Sequence, residues 1–150
     1  MYSSLLVGVA VSLAAPAPKE PPKKESSIVG EWVGEKLVIG GKEMPPAKGV
    51  KGLRFTFTED GKFTVQNESE KPETGTYKID PKKDPPEIDL IQPPGTKTGP
   101  TLGIHNVEGD TLTICFTFTL GGEKNAQRPT RLESAKESDV ILMQFKRVKK

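Results

Sequence analysis

Thr111-Leu112-Thr113-Ile114-Cys115-Phe116-Thr117-Phe118-Thr119 is the stretch that decides the fold. Leu112, Ile114, Phe116 and Phe118 share one parity, while Thr111, Thr113, Cys115, Thr117 and Thr119 share the other. An extended chain therefore carries four apolar side chains on one face and polar or small ones on the opposite face. A helix would scatter both sets around its axis. β-Branched and aromatic residues dominate the run, as suits a pleated surface buried on one side.

The same alternation recurs on both sides of this stretch. Leu102-Gly103-Ile104-His105-Asn106-Val107 leads into it through Glu108-Gly109-Asp110, and Val140 to Arg147 follows it. Leu53 to Thr58, the Asp60-Gly61 turn and Phe63 to Gln66 form a strong hairpin signal. Thr76 to Ile79 precedes Asp80-Pro81, Glu87 to Leu90 follows Pro85-Pro86, and Val29 to Ile39 opens the series. All prolines fall outside these eight strands. Consecutive strands joined by turns point to a closed barrel or a two-sheet sandwich. The expected fold is all-β, an eight-stranded antiparallel up-and-down barrel. Its inward candidates are Leu53, Phe55, Phe57, Phe63, Val65, Tyr77, Ile79, Ile88, Leu90, Leu102, Ile104, Leu112, Ile114, Phe116, Phe118, Ile141, Met143 and Phe145. In the opening strand Trp32 and Leu37 have opposite parity, so both face inward only across a bulge, which Gly34 would permit.

The chain has 150 residues and a formal charge of +2, with 33% hydrophobic and 28% charged residues, 15 Gly and 14 Pro. Twelve of the fifty apolar residues lie in residues 1–17, which carry no charged side chain, so the remainder supports one modest core. This excludes a multi-domain enzyme, a helical bundle rich in Leu and Ala, and a polytopic membrane protein. The balanced charge gives no footprint for nucleic acid. Leu5 to Ala15 is an apolar run too short to span a bilayer, and Ser12, Ala14, Ala15 and Ala17 offer cleavage sites of the A-x-A kind. Residues 1–17 are expected to be a signal peptide and 18–27 a Pro- and Lys-rich linker, with the barrel domain at 28–148. An exported chain without a stable membrane span follows, destined for periplasm, cell surface or medium. Its single Cys115 allows no internal disulfide.

Gly30-Glu31-Trp32 is a Gly-x-Trp that resembles the opening of lipocalins and related calycins. In that family the Trp closes one end of the barrel and a basic residue late in the last strand packs across its indole. Arg147 shares the parity of Ile141, Met143 and Phe145 and matches that residue, so the resemblance makes Gly30, Trp32 and Arg147 the barrel-closing set. A longer series is similar to a lipocalin-like family of small exported domains common in planctomycete bacteria. It comprises Gly30-Glu31-Trp32, Gly75 to Pro81, Ile88-Asp89-Leu90, Leu102-Gly103-Ile104, Gly109 to Leu112 with Cys115, and Arg128-Pro129-Thr130. That resemblance implies an eight-stranded calycin-type barrel and no activity, since the family has none assigned. His105 departs from the pattern, which more often has Tyr there.

One His and one Cys cannot build a His-based metal site, and no Cys-x-x-Cys or His-Glu-x-x-His occurs. No metal and no cofactor is expected. A Cys115 and His105 pair would need both on one face of neighbouring strands. The alternation puts both on the outer, polar face, which favours an ordinary surface pair over catalysis. Asp80, Asp84, Glu87 and Asp89 cluster around three prolines with Lys82 and Lys83 among them, as in a solvated turn. The connections Gly40 to Gly52 and Gly121 to Asp139 are long, and Met44, Pro45 and Val50 are candidates to cover the barrel mouth. The leading expectation is a non-enzymatic module binding a small hydrophobic ligand in an apolar pocket lined by Phe55, Phe57, Tyr77, Phe116 and Phe118. The alternative is a filled barrel serving structure or protein-protein contact in the cell envelope.

Overall fold

A computed structural model describes residues 27–45, 50–68, 70–95, 99–117 and 127–149, and these are all-β with no helix among them. The strands are β1 (Gly30–Ile39), β2 (Lys42–Glu43), β3 (Arg54–Phe57), β4 (Lys62–Gln66), β5 (Glu73–Asp80), β6 (Glu87–Ile91), β7 (Thr101–Glu108), β8 (Thr111–Thr117) and β9 (Val140–Arg147). Each of β3 to β9 pairs antiparallel with the next, and β1 pairs with both β3 and β9. The sheet is thus a closed eight-stranded antiparallel barrel, with β2 a two-residue hairpin on the end of β1. Residues 1–17, the linker up to Ser26, and Phe118 lie outside the described residues.

Closure depends on β1, whose first half must serve β3 while its whole length serves β9. The register along β9 slips between Gly34 and Lys36, which is the expected bulge. Trp32 faces Arg147 and Leu37 faces Met143, so residues of opposite parity both reach the interior. Gly34 is required for a second reason: a Cβ there would lie 2.4 Å from the Val50 carbonyl oxygen and 2.6 Å from Val50 Cβ. Val50, expected over the mouth, is instead buried in the core against this bend. β1 is held to the connection by the Gly34 amide donating to Leu53 at 2.8 Å.

One end of the barrel is closed by the indole of Trp32, which is fully buried and donates its Nε1 proton to the Ile28 carbonyl at 2.8 Å. Arg147 lies 4.2 Å from the ring centroid. Its Nη1 donates to the Val29 carbonyl at 2.9 Å and its Nη2 to the Ser27 carbonyl at 2.8 Å. Burial of the indole is the large contribution here. The stacked cation adds on the order of 1 kcal/mol, and its hydrogen bonds fix the chain that crosses the end of the barrel. Gly30, at φ 135°, allows the close approach, because a Cβ there would sit 2.9 Å from Arg147 Nη1.

β7 reverses the expected facing. Gly103 pairs with Ile88 and Phe116, and His105 with Ile114, so Thr101, Gly103, His105 and Val107 point inward. Leu102 and Ile104 point outward, opposite Asp89, Glu87 and Cys115. The outward stripe is nevertheless buried at Ile104 and Cys115. The chain from Gln127 to Asp139 straps across the outside. Arg128 donates to the Gly103 carbonyl at 2.7 Å, and Ser134 to the Val140 carbonyl at 2.6 Å. An outer face covered in this way can be apolar, and that is why alternation alone assigns β7 to the wrong phase. Gly103 suits its inward place opposite Phe116, where a Cβ would lie 2.7 Å from the Cys115 carbonyl oxygen.

Replacing Trp32 with Ala is expected to lower the free energy of unfolding by about 3 to 5 kcal/mol, read from urea denaturation. A loss below about 1 kcal/mol would contradict the closing role given to the indole.

Candidate functional site

Four of the five residues expected to line a pocket are described, and they occupy different places. Phe55 stacks on Phe57 with centroids 5.7 Å apart and meets Phe145 edge-on at 5.3 Å. Phe63 lies 6.3 Å from Phe55 and 6.5 Å from Phe57, so these rings fill the barrel behind Trp32. Phe57 meets the edge of Tyr77 at 5.1 Å. Phe116 stands at the opposite end, opposite Gly103 and Ile141. Phe57 borders a shallow, open hollow with Val29, Glu31 and Thr58, and Tyr77 lines a more enclosed cleft.

That cleft lies at the Trp32 end, where the wall is notched. β6 starts at Glu87, and the His105 amide makes the last bond on that side, donating to the Pro86 carbonyl at 2.9 Å. Pro85 and Pro86 have no amide proton, so the ladder stops there. β7 continues to Glu108 with β8 alone. The space left over is a half-open cleft of about 320 Å³ lined by Ser27, Ile28, Val29, Tyr77, Ile79, Pro81, Pro86, His105, Asn106 and Val107. Most of that lining is apolar. Ile79 is 42% exposed although it shares the inward parity of Tyr77, because nothing closes over it here. Tyr77 donates its hydroxyl proton to the Thr58 carbonyl at 2.7 Å, which fixes the ring as a wall. Burial, with Asp60 and Glu59 nearby, raises the pKa of that phenol above its ordinary value, so it stays protonated.

His105 is the polar group of this lining that the surroundings leave unsatisfied. It is 7% exposed, and its Nδ1 is buried without a hydrogen-bond partner among the described residues. Burial holds the imidazole below its ordinary pKa, against a smaller opposing effect of the Pro86 carbonyl, so the ring is neutral at physiological pH. A buried polar atom without a hydrogen-bond partner costs about 1 to 3 kcal/mol. The outward placement expected for His105 is therefore corrected: the register of β7 turns it into the barrel.

Cys115 belongs to another environment. It pairs with Ile104, one residue out of phase with His105, so thiol and imidazole stand on opposite faces of the wall and do not meet. Burial, with Glu133 of the strap adding a little, pushes the thiol up to about 12. It is an inert core side chain. The acidic cluster is also resolved into parts. Arg128 reaches Asp89 at 2.6 Å and Glu87 at 3.6 Å and, besides its bond to the Gly103 carbonyl, donates to the Ile88 carbonyl at 3.3 Å. Asp84, by contrast, sits in the exposed turn. Sequence reading missed this role of Arg128, although the three prolines and the paired acids Glu87 and Asp89 were visible. No group of three or more His, Cys, Asp and Glu side chains arranged to hold a metal occurs among the described residues.

No protein-family model and no curated protein matches the chain. Among solved structures it is similar to a DUF4847 family protein from Bacteroides vulgatus ATCC 8482, with 15% sequence identity and a TM-score of 0.45 over 81% of this chain and 94% of that one.

Two outcomes are expected from this geometry. As pH falls through about 6.5, an unfolded His takes up a proton that folded His105 refuses. Stability therefore drops as pH falls through that window, and the imidazole signals of the native protein begin to titrate only at lower pH. An NMR titration with an ordinary midpoint would contradict the burial of the ring. For Cys115, Ellman's reagent should label the native thiol only as fast as the chain opens. Arg128→Met, which frees the strap and leaves two carboxylates facing each other, should label faster. Immediate stoichiometric labelling of the unaltered chain would refute the covered face.

Proposed function

We propose that the chain is an exported, non-enzymatic lipocalin-like barrel whose task is to hold a small, largely apolar molecule at its Trp32 end. The observation that carries this reading is the half-open cleft of about 320 Å³ walled by Tyr77, Ile79, Pro81, Pro86 and Val107. It is a concave, mostly apolar site with a few fixed polar groups, the usual form of a small-molecule site. Export is supported by the uncharged apolar run Leu5 to Ala15 and the Pro- and Lys-rich stretch after it. The lipocalin-like assignment, and the planctomycete family it resembles, is supported by the order of the motifs and by Arg147 lying over Trp32.

A second reading is a filled barrel serving structure or protein contact in the envelope. The packed rings of Phe55, Phe57, Phe63 and Phe145 favour it, because they occupy space that a ligand in the middle of the barrel would need. The cleft beside Tyr77 supports the first reading.

N-Phenyl-1-naphthylamine is a suitable apolar reporter, since it brightens on leaving water. The native chain is expected to bind it saturably, and Ile79→Arg, at a half-exposed position where a charged side chain is tolerated, should weaken binding about tenfold or more. Absence of binding, or binding indifferent to Ile79→Arg, would favour the filled barrel. Native mass spectrometry of the secreted chain checks the remainder, with the N-terminus expected near residue 18.

A further inference from the structure

We propose that His105 is the recognition group of the cleft and selects a neutral amphiphile bearing one hydroxyl, an alcohol or phenol, that hydrogen-bonds to the imidazole. The inference rests on the reading of the cleft as a small-molecule site and adds the chemistry of the molecule that enters it.

Three observations converge. First, His105 lines the cleft while its Nδ1 is buried and unpartnered among the described residues. A buried ring nitrogen without a partner gains from a hydrogen-bonding group brought to it, whereas the apolar walls gain only from contact area. Second, the ring is neutral, because burial disfavours the imidazolium. It therefore offers one N–H and one lone pair, either of which a hydroxyl can meet, and no positive charge to a carboxylate or phosphate. Third, no Lys or Arg is among the described residues that line the cleft. The guanidinium of Arg147 is committed to the carbonyls of Ser27 and Val29 and to the face of Trp32. Asp60 and Glu59 act on Tyr77 from the β3–β4 turn, with Lys62 paired to Asp60. An anionic lipid would carry its charge against mostly apolar walls without a cation among the described lining residues, while an alcohol brings an uncharged hydrogen-bonding group to His105.

The chain has one histidine, so a single set of imidazole resonances reports the site. The experiment titrates the full chain with 1-decanol, decanoate and decane, following the ring nitrogens by NMR and affinity by displacement of N-phenyl-1-naphthylamine. Decanol is expected to bind about tenfold more tightly than decanoate or decane and to move the acceptor nitrogen toward its hydrogen-bonded shift. His105→Phe, which keeps a ring of similar size, should still bind the reporter but lose the preference for decanol over decane. His105→Gln, which restores an acceptor, should recover part of it, and unchanged Trp32 fluorescence in both variants establishes that they fold. Equal binding of decanol and decane with the imidazole unmoved overturns the role of His105 while leaving the small-molecule site standing. Tighter binding of decanoate overturns the choice of a neutral ligand. Failure of the reporter itself to bind the unaltered chain overturns both this inference and the reading beneath it.

Discussion

The whole structure depends on β1 pairing on both edges. A sheet of this size with two free edges would offer unpaired amides and carbonyls to other chains, and closing it requires one strand to bend from β3 towards the full length of β9. The bend is possible because Gly34 has no side chain where Val50 must sit, and because the register slip there brings Trp32 and Leu37 to the same side of the wall. Once β1 is closed, Trp32 is committed to one end, and Arg147, arriving on the neighbouring strand, fixes Ser27 to Val29 across that end. Closure and capping are one event.

The cap does not cover everything. Ile28 and Val29 cross over the indole, while on the far side the prolines before β6 stop the ladder short of the end of β7. The Phe rings pack towards Trp32, and the notch is left with Tyr77 as the boundary between a filled interior and an open cleft. His105 stands in that boundary with one nitrogen unsatisfied. A polar group in such a position costs stability unless something visits it. The strap from Gln127 to Asp139 acts on the other face of the same wall: it buries Ile104 and Cys115 and, through Arg128, ties β6 to β7 near the point where their pairing ends.

Much of the barrel could be read from period-two alternation, because Phe55, Phe57, Leu112 and Ile114 alternate with Arg54, Thr56, Thr111 and Thr113, and Met143 and Phe145 with Gln144 and Lys146. The bulge in β1 was legible for the same reason: two large apolar residues of opposite parity around a glycine leave few alternatives. β7 was not legible in phase. Its outer face is covered by a segment more than ten residues away in sequence, and covering removes the polarity difference on which the reading depends. The error passed directly to the site, since it placed His105 outside and hid the polar group of the cleft. Phe55 and Phe57 were correctly seen as interior, but sequence does not distinguish a ring that lines a space from one that fills it. Tyr77 was identified for its inward parity, and its position at the edge of the filled region emerges only from the register with β6.

The central claim is that a guest sits at the Trp32 end, beside Tyr77 and His105, and not at the opposite mouth. Intermolecular nuclear Overhauser effects from a bound apolar reporter to assigned methyl groups test it most directly. The account predicts contacts to Ile28, Ile79 and Val107, with none to Leu37, Leu53 or Ile141. Contacts to the second group without the first would place the guest in the other end of the barrel and contradict it.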